Sequence, residues 1–123
     1  MKIYLAGMYS WKNKIRAHAE QLEKLGFTIT STWLDERKDP KTQLDDVSDR
    51  FLREHAQIDW KDLRHADVVI IFTVQPDAPT VRGGRHVETG LALAWEKTVI
   101  ICGPVKIFFI FCRKSNNLIL LKK

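Results

Sequence analysis

The apolar positions of this 123-residue chain fall into short runs separated by longer mixed segments. The runs at 67–73 (DVVIIFT) and 98–102 (TVIIC) are β-branched and almost wholly apolar, which is typical of central strands in a parallel sheet covered on both faces. An earlier run at 2–8 (KIYLAGM) predicts a first strand that opens into a loop at Gly7. The alternation of apolar and hydroxyl residues at 27–32 (FTITST) predicts a half-exposed strand nearer the sheet edge.

Between these runs, apolar residues recur at steps of three and four, which predicts helices. The first helix covers 11–25, with Ser10 as its candidate N-cap and Gly26 as its C-terminal stop. A second, longer helix is predicted over 44–66, and a third follows a basic, glycine-paired loop within 81–94. The apolar stripe of the second helix consists of Val47, Phe51, His55, Ile58, Leu63 and Ala66.

This order of elements predicts a single-domain α/β fold over residues 1–104, doubly wound and Rossmann-like or flavodoxin-like. We expect four or five parallel strands in the order 2-1-3-4(-5), with helices on both faces and the ligand crevice at the carboxyl edge of the sheet. The polar stretch 35–46 is interpreted either as a cover over that crevice or as a mobile connection. The atypical tail, 105–123, is interpreted either as a fifth strand at 118–121 or as out-of-frame translation of AT-rich sequence.

Composition narrows the class of ligand. The net charge is +5, yet four positive residues lie in the last eleven positions and no dense basic block occurs elsewhere, so an anionic small molecule is favoured over a nucleic acid polymer. The two cysteines, Cys102 and Cys112, form no CxxC motif, and no His/Cys cluster has metal spacing, so we predict neither a metal nor a cofactor. No apolar run is long enough to cross a bilayer, which predicts a cytoplasmic protein without a membrane partner.

Three polar residues are candidates for catalysis. Glu88 follows the glycine-paired loop at the third helix, Asp59 lies in the last two turns of the second helix, and Tyr4 lies on the first strand. Two carboxylates and a phenol suit glycosyl transfer, because one carboxylate can attack an oxocarbenium-like carbon while a proton donor assists the leaving group. The alternative is structural: glutamate is common near helix starts because it stabilises the helix dipole.

Three segments resemble the nucleoside 2-deoxyribosyltransferase family, including its branch of deoxynucleoside 5′-monophosphate N-glycosidases. They are 3–7 (IYLAG), 59–69 (DWKDLRHADVV) and 83–94 (GGRHVETGLALA), and the likeness covers roughly residues 2–104. The resemblance implies that Glu88 attacks the sugar C1′ carbon, that Tyr4 orients Glu88, and that Asp59 holds the sugar or assists proton transfer to the base. It also implies a deoxynucleoside or deoxynucleotide substrate and a homodimer or larger homo-oligomer.

The predicted substrate-binding set lines the same edge of the sheet. Its members are Gly7, Met8, Ser10, Trp33, Arg82, Gly83, Gly84 and Arg85. Met8 stands where the monophosphate branch commonly has a phosphate-binding serine, and Arg82 with Arg85 would supply the charge instead. Trp33 is interpreted either as a base-stacking residue or as a cover for the core edge.

Two other functions fit the same residues. One is a catalytically inert nucleotide-binding or interaction module on this fold. The other is a Rossmann-like nucleotide phosphoribohydrolase, although those enzymes usually carry a longer, threonine-containing glycine run that this chain lacks.

Overall fold

The structure, a computed structural model, describes residues 1–35, 48–73, 84–103 and the backbone of 118–121. Within these ranges a sheet of five parallel strands has the order β2-β1-β3-β4-β5. The strands are β1 (Lys2–Ala6), β2 (Thr28–Ile29), β3 (Val68–Phe72), β4 (Thr98–Cys102) and β5 (Leu118–Leu121). The helices are α1 (Lys12–Lys24), α2 (Asp49–His65) and α3 (Gly84–Ala94). The predicted α/β fold, its 2-1-3-4 strand order and a strand at 118–121 are confirmed.

One face of the two central strands is buried completely. Val69 and Ile71 of β3, together with their register partners Val99 and Ile101 of β4, have no exposed surface. Ile70, Phe72 and Ile100, on the other face, are half-buried. Right-handed crossovers in this strand order place α1 on one face, and α2 with α3 on the other. Near-parallel stacking between His18 of α1 and Phe72 of β3, with ring centroids 5.4 Å apart, identifies the face that α1 covers.

On the opposite face, α2 and α3 pack together near their C-terminal ends. Trp60 meets Trp95 edge-on, with ring centroids 5.0 Å apart. Lys97 Nζ donates to the carbonyls of Arg64 and Ala66, which places a cation at the negative end of the α2 dipole. Desolvation, with the nearby Arg64 charge, lowers the pKa of Lys97 below its ordinary value. Among residues 1–35, 48–73 and 84–103, no helix combines the length and apolar content needed to cross a membrane.

Strand β2 is shorter than the predicted 27–32. It ends at Ile29 because side chains, and not the backbone of a longer β2, form the hydrogen bonds to Leu5 of β1. Ser31 Oγ accepts from Leu5 N at 2.6 Å, and Trp33 Nε1 donates to Leu5 O at 2.8 Å. Both polar groups of Leu5 are therefore satisfied, and the chain turns into a short 3₁₀ helix at Thr32–Asp35.

Two predicted helix starts are also wrong. Ser10 is not the N-cap of α1, because it lies inside a 3₁₀ turn, Tyr9–Trp11, and α1 begins after Trp11 without a side-chain cap. The second helix begins at Asp49 rather than at 44. Ser48 is its N-cap, extended at φ −69° and ψ 152°, and accepts a hydrogen bond from Phe51 N at 3.2 Å.

Helices α1 and α3 end in the same hydrogen-bond pattern but with different residues. After α1, Gly26 N donates to Glu23 O and Phe27 N to Leu22 O, with Gly26 at φ +95°. After α3, Glu96 N donates to Leu93 O and Lys97 N to Ala92 O. Here Glu96 takes the left-handed position, at φ 57°. For a residue with a Cβ, this conformation lowers the stability of the fold by about 1 kcal/mol.

Replacing Glu96 by glycine should therefore stabilise the protein. We expect Glu96→Gly to raise the free energy of unfolding by about 0.5–1 kcal/mol, measured by chemical denaturation. Glu96→Ala is the matched control, because it removes the carboxylate but keeps the Cβ and its backbone strain. A gain in Glu96→Ala equal to that in Glu96→Gly would show that the side chain, and not the backbone, is responsible.

Two other glycines should respond to alanine with opposite signs. A Cβ on Gly103, at φ +118°, would lie 2.7 Å from Thr73 Oγ1 and 2.8 Å from Thr73 O, whereas a Cβ on Gly90 meets nothing within 4 Å. We expect Gly103→Ala to destabilise the fold by about 3 kcal/mol through overlap and strain. Gly90→Ala, inside α3, should stabilise it by about 0.5–1 kcal/mol. Equal effects in urea denaturation would contradict this account.

Candidate active site

The pairing of β3 with β4 sets the heights of two carboxylates over the sheet. The two strands start in register, Val68 opposite Thr98, and each is preceded closely by its helix. Asp59 lies six residues before the end of α2 at His65, and Glu88 lies six residues before the end of α3 at Ala94. Because both helices run antiparallel to the strands and pack side by side, we expect Asp59 and Glu88 to stand at about the same level above the sheet.

Both acids lie on the inward side of their helices while an apolar neighbour faces solvent. On α2, Ile58 is 42% exposed, although its neighbour Asp59 is half-buried and has a buried Oδ1 atom. On α3, Val87 is 63% exposed, although Glu88 is half-buried and has a buried Oε2 atom. Burial of apolar surface alone would favour the reverse in each pair.

This arrangement corrects the predicted stripe of α2. Ile58 was expected to face the core, but the inward line runs in steps of four through Asp59 to the fully buried Leu63. On α3, Glu88 likewise precedes Ala92, which has no exposed surface, by four residues. Residues four apart share a helix face, so each acid continues the line that packs on the sheet.

Tyr4 faces the same side of the sheet as α2 and α3. Phe72 faces α1, so Ile70 and its register partner Leu5 do as well. Tyr4, the neighbour of Leu5, therefore faces the opposite side. Tyr4 has no exposed surface, and its hydroxyl oxygen is buried. The three residues predicted to be catalytic thus lie on one side of the sheet, on three different elements.

The other acidic residues around this region have structural roles. Asp62 Oδ2 accepts hydrogen bonds from Thr32 N at 2.9 Å and from Thr32 Oγ1 at 2.6 Å, which ties α2 to the 3₁₀ helix after β2. Asp67 Oδ2 accepts from Lys2 N at 2.9 Å, which joins the starts of β1 and β3.

Lys12 is a buried charge that sequence reasoning missed. It is the first residue of α1 and is only 2% exposed, with its Nζ atom 5.4 Å from the centre of the Tyr9 ring. In sequence, a lysine in the first turn of an amphipathic helix is expected to face solvent. The only signal for its burial was its position three residues before Ile15 and seven before Ala19, on the apolar stripe of α1.

Gly7 allows α1 to pack closely on the end of β1. A Cβ at this position would collide with Cδ1 of Ile15 and lie 3.4 Å from Cβ of Phe72. The next residue, Met8, is half-buried and accepts a hydrogen bond from Trp11 N at 2.9 Å, whereas Ser10 is exposed in the 3₁₀ turn. The structure thus explains Gly7 by packing, and the substrate contacts of these three residues stay predictions.

Trp33 is held in the core. It is 8% exposed, its indole nitrogen is bonded to Leu5 O, and its ring lies 6.2 Å from that of Tyr9. These contacts account for Trp33 as a cover of the core edge, one of its two predicted roles.

The basic, glycine-paired loop is only partly described. Arg82 and Gly83 lie outside the described residues, and Gly84 and Arg85 are the first two residues of α3. Among the residues that the structure describes, no group of three or more His, Cys, Asp or Glu side chains could hold a metal ion.

Comparison with known proteins identifies the fold. No protein-family model and no curated protein matches the chain. The structure is similar to that of the Clostridium botulinum CMP N-glycosidase BcmB, with a TM-score of 0.67 and 19% sequence identity, covering 100% of this chain and 89% of that one. At this identity the likeness establishes the fold, which agrees with the fold that the sequence resemblance implied.

Proposed function

We propose that this protein cleaves or transfers the N-glycosidic bond of 2′-deoxyribonucleosides or their 5′-monophosphates, with Glu88 as the nucleophile. The proposal is carried by the half-burial of Asp59 and Glu88, each with a buried carboxylate oxygen, on the two helices that cover the same side of the sheet as Tyr4. The sequence resemblance and the fold shared with a CMP N-glycosidase support the same class of reaction.

The reaction follows from the chemistry of the two carboxylates. A carboxylate oxygen of Glu88 attacks C1′ and forms a glycosyl ester as the bond from C1′ to the base nitrogen breaks. The base departs with the electron pair of that bond, and Asp59 assists its protonation. Water then attacks C1′ and releases the free sugar, or a second base attacks and completes a transfer. In both cases Glu88 leaves as a carboxylate.

The N-terminus of α3 supplies a positive potential at the mouth of the crevice, because the backbone N–H groups of its first turn have no partner within the helix. The first turn of α3 contains no acidic residue to oppose this effect. The same potential suits a 5′-phosphate at the mouth of the crevice, with Arg82 and Arg85 as its proposed partners.

Removal of the nucleophile should abolish turnover without unfolding the protein. We expect Glu88→Gln to lower kcat by about 1,000-fold or more, because an amide cannot form the glycosyl ester. The assay follows free base released from each 2′-deoxynucleoside, its 5′-monophosphate and CMP. Glu20→Gln, the same change on the exposed side of α1, should leave the rate unchanged.

Two outcomes of that assay would contradict the proposal. Retention of most activity by Glu88→Gln would exclude Glu88 as the nucleophile. Binding of nucleosides by the wild-type chain without release of base from any of them would favour the inert nucleotide-binding module instead.

The same substitution at two aspartates of α2 should separate catalysis from stability. Asp59→Asn should lower kcat by about 100-fold or more, because the amide cannot transfer a proton. Asp62→Asn should leave kcat unchanged and lower the free energy of unfolding by about 1 kcal/mol, because it weakens the bonds to Thr32. Equal losses of kcat in both variants would contradict the distinct role of Asp59.

A further inference from the structure

We propose that Phe51 and His55 of α2 form the nucleobase subsite of the crevice, an aromatic wall on which the base of the bound nucleoside stacks. This inference rests on the proposed function and adds to it the residues that recognise the base. The two rings contact each other, with centroids 3.8 Å apart and planes inclined by 36°. Both side chains are half-buried.

Phe51 and His55 follow Asp59 along α2 towards the opening of the crevice. Phe51, His55 and Asp59 are four residues apart in turn, so each is a surface neighbour of the next, about 40° further around the helix. Because α2 leads into β3, its N-terminal half points to the carboxyl edge of the sheet, where the crevice opens. His55 is thus about 6 Å above Asp59 towards the opening.

Buried apolar side chains lie below the two acids. The level beneath Asp59 and Glu88 is filled by Leu63, Ala92 and Val69, which are at most 1% exposed. A nucleoside whose C1′ carbon is at Glu88 must therefore extend towards the opening. The base is bonded directly to C1′ and needs a flat apolar wall at that level.

Helices α2 and α3 offer different surfaces above that level. Helix α3 begins there, at Gly84, and the backbone N–H groups of its first turn suit anionic oxygens. Helix α2 presents the two aromatic rings. The ribose 5′ end is thus assigned to the α3 side and the base to the α2 side. Trp33, the other aromatic candidate, is already bonded to Leu5 O in the core.

The test uses the full chain carrying Glu88→Gln, so that binding is measured without turnover. The probes are 2′-deoxycytidine, 2′-deoxyadenosine and 2-deoxyribose, titrated by NMR and calorimetry. We expect Phe51→Leu and His55→Leu, which keep apolar bulk but remove a ring, each to weaken nucleoside binding by at least about fivefold, the order of a lost base–aromatic stack. Their affinity for 2-deoxyribose should stay unchanged, and His55→Phe should restore nucleoside binding.

Gln57→Leu, an exposed position on the same helix, is the matched control and should bind all probes normally. Unchanged nucleoside affinity in both leucine variants would overturn the subsite. A parallel loss of 2-deoxyribose affinity would also overturn it, because the rings would then only support the site structurally.

The same variants in the wild-type background distinguish this inference from the proposed function. If the function holds and the subsite is correct, KM rises while kcat changes little. Turnover with an unchanged KM would refute the subsite alone. Absence of turnover in the wild-type chain, together with the expected pattern in the binding titrations, would refute the function and leave the base subsite standing.

Discussion

The in-register pairing of β3 with β4 is the constraint on which the site depends. Each strand is preceded by a helix that ends three or four residues earlier, so the register of the strands becomes the register of the helices. The proposed reaction needs Asp59 and Glu88 to face one ligand, and the shared starting level of β3 and β4 permits this. A shift of one residue would move every side chain of a strand to the other face.

The proposed site places polar side chains inside while apolar ones nearby face solvent. Buried polar side-chain atoms occur on β1, α1, α2 and α3, at Tyr4, Lys12, Asp59 and Glu88. Meanwhile Ile58, Trp60 and Val87, on the outer sides of α2 and α3, retain large exposed apolar surfaces. Burial of apolar surface alone does not favour this arrangement, and the proposed reaction in the crevice supplies a use for it.

The edge of the sheet beside the site is held by side chains in place of a longer strand. Ser31 and Trp33 bond the backbone of Leu5, and Asp62 bonds Thr32 between them. This network joins β1, the segment after β2 and helix α2. It therefore connects the strand that carries Tyr4 to the helix that carries Asp59, and keeps both in position without a metal or a disulfide among the described residues.

The sequence by itself determined the order of strands and helices and the parallel sheet, and the reactive acids that it indicates stay a prediction. The order and the sheet follow from local rules, since a run such as VVIIF reports its own burial and Gly26 its own left-handed turn. Only the tertiary structure decided which neighbour faces inward. Ile58 and Asp59 are 100° apart on a helix, and the buried stripe of a helix is about that wide, so the periodicity allows either residue to face the core. The same holds for Lys12, whose burial depends on the packing of α1, and for β2, which side chains from outside the strand cut short. Local patterns report propensity, but contacts between distant residues choose among the conformations that propensity permits.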